Sequence, residues 1–316
     1  MSSSKDKKNH DTLVNEALEL SKKGNYEDAI KKLEEAVKII PFVATYIRLA
    51  NLLSLSDRYM EALEIYNEAE KLLNDDRDAV AEISYYKSIC YDIMGKYEEM
   101  FVAVNKAIDG GIKVGECYYF LGEYYDENRS LDKENENKAI ENYLKAIEID
   151  TSLLYAYANL SHIYYEQQKY EEALELLLKL KDLDKDHLTN VEFNLGVIYA
   201  CLNDYDNAMK YYKKELELDN PYAKVYFNMG TLNKDFKMYD KAKYYFLKAI
   251  EQNKDDVDSW YNLGCVYALE NDCDNALSCL QYVKYHKYEY FKESIKDPDL
   301  KEIIKDERYK KMCEKI

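Results

Sequence analysis

Four asparagines carry the most specific chemical signal in this 316-residue chain. Asn159, Asn194, Asn228 and Asn262 follow one another at steps of 35, 34 and 34 residues, and Asn15 holds the equivalent place near the N-terminus. A carboxamide offers donors and an acceptor that complement the C=O and N–H of a peptide unit. One such bond contributes only about 0.5–1.5 kcal/mol net, so a series at fixed spacing binds where a single amide does not. Tyr155, Phe193, Phe227 and Tyr261, with Lys224 and Thr231, are expected on the same surface. Amides beside apolar rings have the composition of a peptide groove. The competing reading is structural: the amides hold local backbone, and the rings pack on the neighbouring helix.

No catalytic site is expected. The chain has no Gly-x4-Gly-Lys-Ser/Thr or Gly-x-Gly-x2-Gly phosphate loop, no His-Glu-x2-His and no Gly-x-Ser-x-Gly. Its histidines, at 10, 162, 187 and 286, lie far apart. Its seven cysteines include no Cys-x2-Cys pair. Cys273 stands where earlier repeats have Tyr205 and Tyr239, and Cys273 and Cys279 fall on different sides of a helix. They read as small core hydrophobes, with no metal and no cofactor expected. Most carboxylates map to solvated helix faces. Glu116, Tyr119, Phe120, Glu123, Asp126 and Glu127 should instead project together, as a patch suited to a basic segment.

What positions these side chains is a repeated pattern of small and large residues. Its most regular copy is Trp260-x2-Leu263-Gly264-x2-Tyr267-x8-Ala276-x3-Leu280-x2-Val283. Eight copies align on a small residue of the second helix at 29, 62, 100, 139, 173, 208, 242 and 276, where Met100 replaces the usual alanine. Apolar residues at three- and four-residue spacing specify helices. The small residues let two helices approach, and the large residue four places later fills the gap between them. One hairpin cannot bury both of its faces, so the copies must stack. Turn signals fall between helices at Gly24-Asn25, Gly95-Lys96 and Asn203-Asp204, while Asn220-Pro221 and Asp297-Pro298 place a capping side chain before a first-turn proline.

Bulk composition narrows the partner. With 47% hydrophobic and 33% charged residues, the chain can bury a large apolar area under a solvated surface. A net charge of −17 and only five arginines argue against nucleic acid, which is held by neutralising its phosphates. The polar start MSSSKDKKNHDT is not a secretory signal, and no 18-residue apolar run occurs, so no membrane association is expected and a soluble, cytoplasmic protein is.

The eight copies resemble tetratricopeptide repeats over residues 10–290. The resemblance implies an all-α, right-handed superhelical solenoid of stacked antiparallel helix pairs. Residues 1–9 are expected as a disordered tail and 291–316 as a helical cap covering the last apolar face. The pattern is weakest at 81–150, where Lys87-Ser88 and Met100 depart from it and an insertion falls near 130–136. That stretch reads as a tolerated loop or a hinge. In the family, the asparagine position faces the concave groove and holds extended peptide backbones. Repeats that clamp the C-terminal carboxylate of heat-shock chaperones carry pairs of basic residues. Here Lys224-Asn228 and Asp258-Asn262 do not supply them, so that partner is rejected. The implied function is a non-enzymatic scaffold binding an extended segment of another protein. Alternatives are an assembly protein that associates through its convex face or ends, and a peptide-responsive regulatory sensor.

Overall fold

A computed structural model describes residues 4–73, 76–218 and 224–314; the expected capping pair Asn220-Pro221 lies outside them. The described residues form helices without strands, and the helices pair in chain order. They group into two compact units that meet in sequence at Ile163/Tyr164. That boundary does not coincide with the irregular stretch 81–150.

The first unit contains four hairpins: α1 (Ser4–Lys22) with α2 (Tyr26–Ile39), α3 (Val43–Leu55) with α4 (Tyr59–Lys71), α5 (Arg77–Ile93) with α6 (Tyr97–Asp109), and α7 (Gly115–Glu127) with α8 (Lys133–Ile149). The next helix, α9 (Leu154–Glu166), runs across the boundary. The second unit contains α10 (Tyr170–Leu183), α11 (Val191–Cys201) with α12 (Tyr205–Glu215), α13 (Val225–Asp235) with α14 (Tyr239–Gln252), and α15 (Val257–Leu269) with α16 (Cys273–His286). It closes with α17 (Tyr288–Glu293), three 3-10 turns and α18 (Glu307–Glu314).

Within each hairpin except α7–α8, one left-handed residue reverses the chain. At Asn203 (φ 58°) the Asn203 N–H donates to the Ala200 carbonyl (3.0 Å) and the Asp204 N–H to the Tyr199 carbonyl (2.9 Å). The helix end is thereby satisfied, and the Asp204 side chain then accepts from the Asn207 N–H to start α12. The aligned alanines, and Met100 in their place, are fully buried. Opposite them, the first-helix glycines receive a ring: a β-carbon at Gly122 would lie 2.6 Å from Tyr143, at Gly196 2.5 Å from Tyr212, and at Gly230 2.6 Å from Phe246. These rings are the large residues four places after Ala139, Ala208 and Ala242.

Two expectations are corrected. Residues 4–9 are not a disordered tail but the first turns of α1, which is anchored where His10 Nε2 meets Thr45 Oγ1 (3.0 Å) and its ring packs edge-on against Phe42. The insertion near 130–136 is mostly not a loop, since its last four residues extend α8 to 17 residues. The Asp132 carboxylate accepts from the Glu134 N–H (2.9 Å), and the acidic first turn suits the positive end of the helix dipole.

The irregular third repeat is packed all the same. Ser88 is fully buried and donates to the Tyr85 carbonyl, and Lys87 reaches Asn67 and Glu70 at 2.8 and 3.0 Å. In the predicted acidic patch, Phe120 is core, whereas Tyr119 donates to Glu123 Oε1 (2.6 Å) and Asp126 pairs with Arg129 (2.7 Å). Burial, and then Asp92 on α5, push the Glu123 carboxyl up to about 8. Part of the patch is therefore neutral at physiological pH and does not present uniform negative charge to a partner.

Two outcomes follow for the packing and the charge. Gly196→Ala is expected to lose about 1–3 kcal/mol by overpacking. Gly264→Ala, whose β-carbon would meet its nearest neighbour at 3.2 Å, should stay near neutral, because alanine gains roughly 0.5–1 kcal/mol over glycine in a helix. Urea unfolding compares the two, and equal losses would sink the packing argument. Glu123 keeps its proton in the folded state up to about pH 8, whereas an unfolded glutamate releases it near 4.5, so its contribution is fully present at acid pH and lost as pH rises through that window. Glu123→Gln should flatten the decline of unfolding midpoint between pH 5 and 8.5; an unchanged slope contradicts the assignment.

Candidate peptide-binding face

The glycine contacts decide which way each first helix faces. A residue two places before the glycine lies about 200° around the helix from it, directed away from the hairpin partner. A residue three places before returns to the edge of the packed face. Phe193 and Phe227 occupy this second position and are half-buried, with ring centroids 6.1 Å from Tyr212 and 6.0 Å from Phe246. Their rings thus pack against the second helix and keep an outer edge.

The asparagines divide into two kinds. Asn159, in the first unit, donates to the Tyr143 hydroxyl (3.2 Å), and Asn262 donates to the Asp258 carbonyl one turn back (3.0 Å). Both serve local structure. Asn194 and Asn228 are half-buried, and neither side chain makes a hydrogen bond among the described residues. They stand at equivalent places on α11 and α13, which are in contact with each other. Thr231 returns its hydroxyl to the Phe227 carbonyl (3.2 Å), while Lys224, immediately before α13, is exposed. Tyr155, on α9, is 52% exposed and lies in the first unit.

Tyr261 departs from the expected role. It is 8% exposed, its hydroxyl donates to Asp297 Oδ2 (2.6 Å), and its ring stacks on Tyr290 at 4.7 Å. The C-terminal segment has taken the surface that Tyr261 would have offered to a ligand. The Asp297-Pro298 turn forms as expected, with Asp297 accepting from the Asp299 N–H. Leu300, Ile303, Phe291 and Tyr309 are buried beneath it.

This contact holds the polar residues that the sequence left unassigned. Lys234, at the far end of α13, places Nζ 2.8 Å from Asp299 Oδ2. Burial pulls its pKa down, but the bond to Asp299 outweighs this and the ammonium is held more firmly than usual. Burial, followed by Asp297, raises the Cys265 thiol well above the ordinary range, so it is a buried, protonated thiol. Cys265, Asp297 and Asp299 have one ligand atom each within 4.8 Å of the others. Lys234 and the Tyr261 hydroxyl already partner the two carboxylates, so the cluster reads as a neutralised latch. The signal available in sequence was Lys234 standing seven residues after Phe227, on the same helix face.

No helix among the described residues is long and apolar enough to cross a membrane. Family models described as tetratricopeptide repeat match residues 10–42, 150–221, 223–256 and 245–279. A TPR repeat-containing protein of Methanocaldococcus jannaschii is 25% identical over 209 residues, 60% of this chain and 34% of its own length. The BBSome complex member BBS4 of Bos taurus is 25% identical over 199 residues, 63% and 36% respectively. The chain thus spans about a third of the length of these curated relatives. Among solved structures, the C-terminal part of a TPR repeat-containing protein from Cytophaga hutchinsonii superposes with a TM-score of 0.58 at 19% identity, covering 84% of this chain and 98% of that one. A tetratricopeptide repeat protein from Parabacteroides merdae gives 0.53 at 17% identity, covering 81% and 98%. Hairpin pairing, buried alanines, ring-on-glycine contacts and these matches agree: the chain belongs to the tetratricopeptide-repeat family, whose repeats are typically non-catalytic scaffolds for protein–protein interaction.

Proposed function

We propose that the protein is a scaffold that captures an extended segment of a partner protein on the first-helix face of its second unit. The observation carrying this reading is the pair Asn194 and Asn228: two half-buried amides, at equivalent places on adjacent first helices, whose side chains make no hydrogen bond among the described residues. Amides directed outward at one-repeat spacing offer donors and acceptors to a peptide backbone. The outer edges of Phe193 and Phe227 supply apolar contact beside them, and exposed Lys224 adds one positive charge at the start of α13. Asn159 and Tyr155 form a separate, weaker surface in the first unit, because Tyr143 already occupies that amide. Asn262 and Tyr261 contribute little, the first bonded to its own helix and the second covered by the cap.

A protein partner fits the charge better than nucleic acid does, since −17 repels a phosphate backbone. The seven unpaired cysteines accord with a reducing, cytoplasmic setting.

The test begins with peptides selected on the intact chain from a random displayed library, followed by affinity measurement on the purified variants. Asn194→Ala with Asn228→Ala is expected to weaken the selected peptides at least five-fold with unchanged helicity, given about 0.5–1.5 kcal/mol per bond. Asn262→Ala should change affinity less than two-fold. Equal effects of the two, or no effect of the double variant, would refute the assignment.

A further inference from the structure

The first-helix strip that continues the proposed peptide face onto α15 is covered by the chain's own C-terminal segment. Phe193 and Val197 on α11 stand three places before and one place after their repeat glycine, as do Phe227 and Thr231 on α13, and all four are half-buried. Tyr261 and Cys265 hold the same two places on α15, yet they are 8% and 0% exposed. The cover is the 3-10 turn Pro298–Leu300, which packs on α15, and α15 in turn touches α13.

The turn is held as an acidic peptide would be. The Tyr261 hydroxyl donates to Asp297 Oδ2 at 2.6 Å, and Cys265 Sγ stands 3.8 Å from the same oxygen. Lys234 Nζ, on the neighbouring first helix, is 2.8 Å from Asp299 Oδ2. Leu300, the next residue, is fully buried. Two carboxylates, two residues apart, thus meet donors on two first helices, and one apolar side chain follows them into the core. The turn itself has little internal support. Residues 294–305 carry three 3-10 turns of three residues each (Ser294–Lys296, Pro298–Leu300 and Ile303–Lys305), whose hydrogen-bond geometry is poorer than that of an α-helix. Ile295 is 55% exposed, and Pro298 is exposed as well. The half-buried carboxylates make ordinary hydrogen bonds and an ion pair, which another carboxylate in the same place can replace.

We propose that the Asp297–Leu300 turn is an internal competitor for the peptide face: it occupies the α13–α15 end through Lys234 and Tyr261, and a partner segment with two aspartates two residues apart, followed by a leucine-like residue, displaces it. The inference deepens the peptide reading above and rests on it for the existence of a partner. It adds the chemistry of that partner, since Lys234 and Tyr261 select carboxylates. Phe291 and Tyr309, buried on either side of the turn, keep the lifted segment attached. A tethered competitor acts at high effective concentration, so the intact chain resists weak acidic segments and yields to those that also engage α11 and α13.

Two measurements on the full chain test this. Alkylation of individual cysteines, read by peptide mass, reports opening, because the turn covers Cys265 whereas Cys279 is buried inside the same hairpin. Asp297→Asn with Asp299→Asn is expected to speed Cys265 alkylation about five-fold and leave Cys279 unchanged, as local opening requires. Equal acceleration of both thiols, or of neither, overturns the proposal. The second probe is a synthetic peptide with the sequence of residues 294–303. It should bind the double variant about ten-fold more tightly than wild type, since the tethered copy no longer competes. Adding Lys234→Met should remove that gain and Lys234→Arg should keep it; equal affinity for wild type and double variant refutes the competitor. The library peptides separate the two ideas. If the Asn194 and Asn228 variants weaken those while the short peptide gains nothing, the peptide face stands and the competitor falls; the reverse pattern keeps the competitor and refutes the amides.

Discussion

In three of the hairpins an aromatic ring packs directly against a glycine: Tyr143 on Gly122, Tyr212 on Gly196 and Phe246 on Gly230. The spacing of the two helices and the rotation of the first one both depend on this contact, since a β-carbon there would fall inside the ring's van der Waals radius. Once the glycine is turned inward, the residue three places before it must brush the same ring, and the residue two places before must turn outward. Phe193 and Asn194 illustrate the split, as do Phe227 and Asn228. A packing rule thereby sorts adjacent residues into structural and available ones. The last repeat uses a milder version, with Gly264 against Cys279 and Leu280, and Tyr261, three places before that glycine, meets the chain's own C-terminal segment.

That segment changes what the final hairpin can do. An array of hairpins leaves its last apolar face bare, and here Phe291, Leu300, Ile303 and Tyr309 cover it. The polar pins Asp297 and Asp299 cross to Tyr261 and Lys234, so closing the end also removes a tyrosine and a lysine from the first-helix surface. What remains open in the second unit is the α11–α13 face.

The stretch that looked weakest in sequence keeps its core by substitution. Met100 fills the alanine place completely, Ser88 satisfies its hydroxyl on its own helix, and the inserted residues lengthen α8. The cost of the acidic residues around α7 is met differently. Glu123 keeps a proton near neutral pH because burial and Asp92 both oppose its ionisation. An acidic run in sequence is therefore a poor guide to surface charge once the side chains are packed against one another.

The helical class, the pairing of the hairpins, the buried alanine positions and the periodic asparagines were all legible in the residues, because they depend on local periodicity and on small residues at fixed spacing. The sequence alone did not separate Asn194 and Asn228 from Asn159 and Asn262, which look equivalent in register. Their difference rests on partners at variable positions: a tyrosine hydroxyl 16 residues before Asn159, and for Asn262 a backbone carbonyl within its own helix. The burial of Tyr261 depends on Asp297, 36 residues later, and the closure of Lys234 on Asp299, 65 residues later. Repetition along the chain specifies which residues share a face. Only the packed structure decides which of them still have a free hydrogen bond to offer, because that depends on contacts between segments that do not repeat.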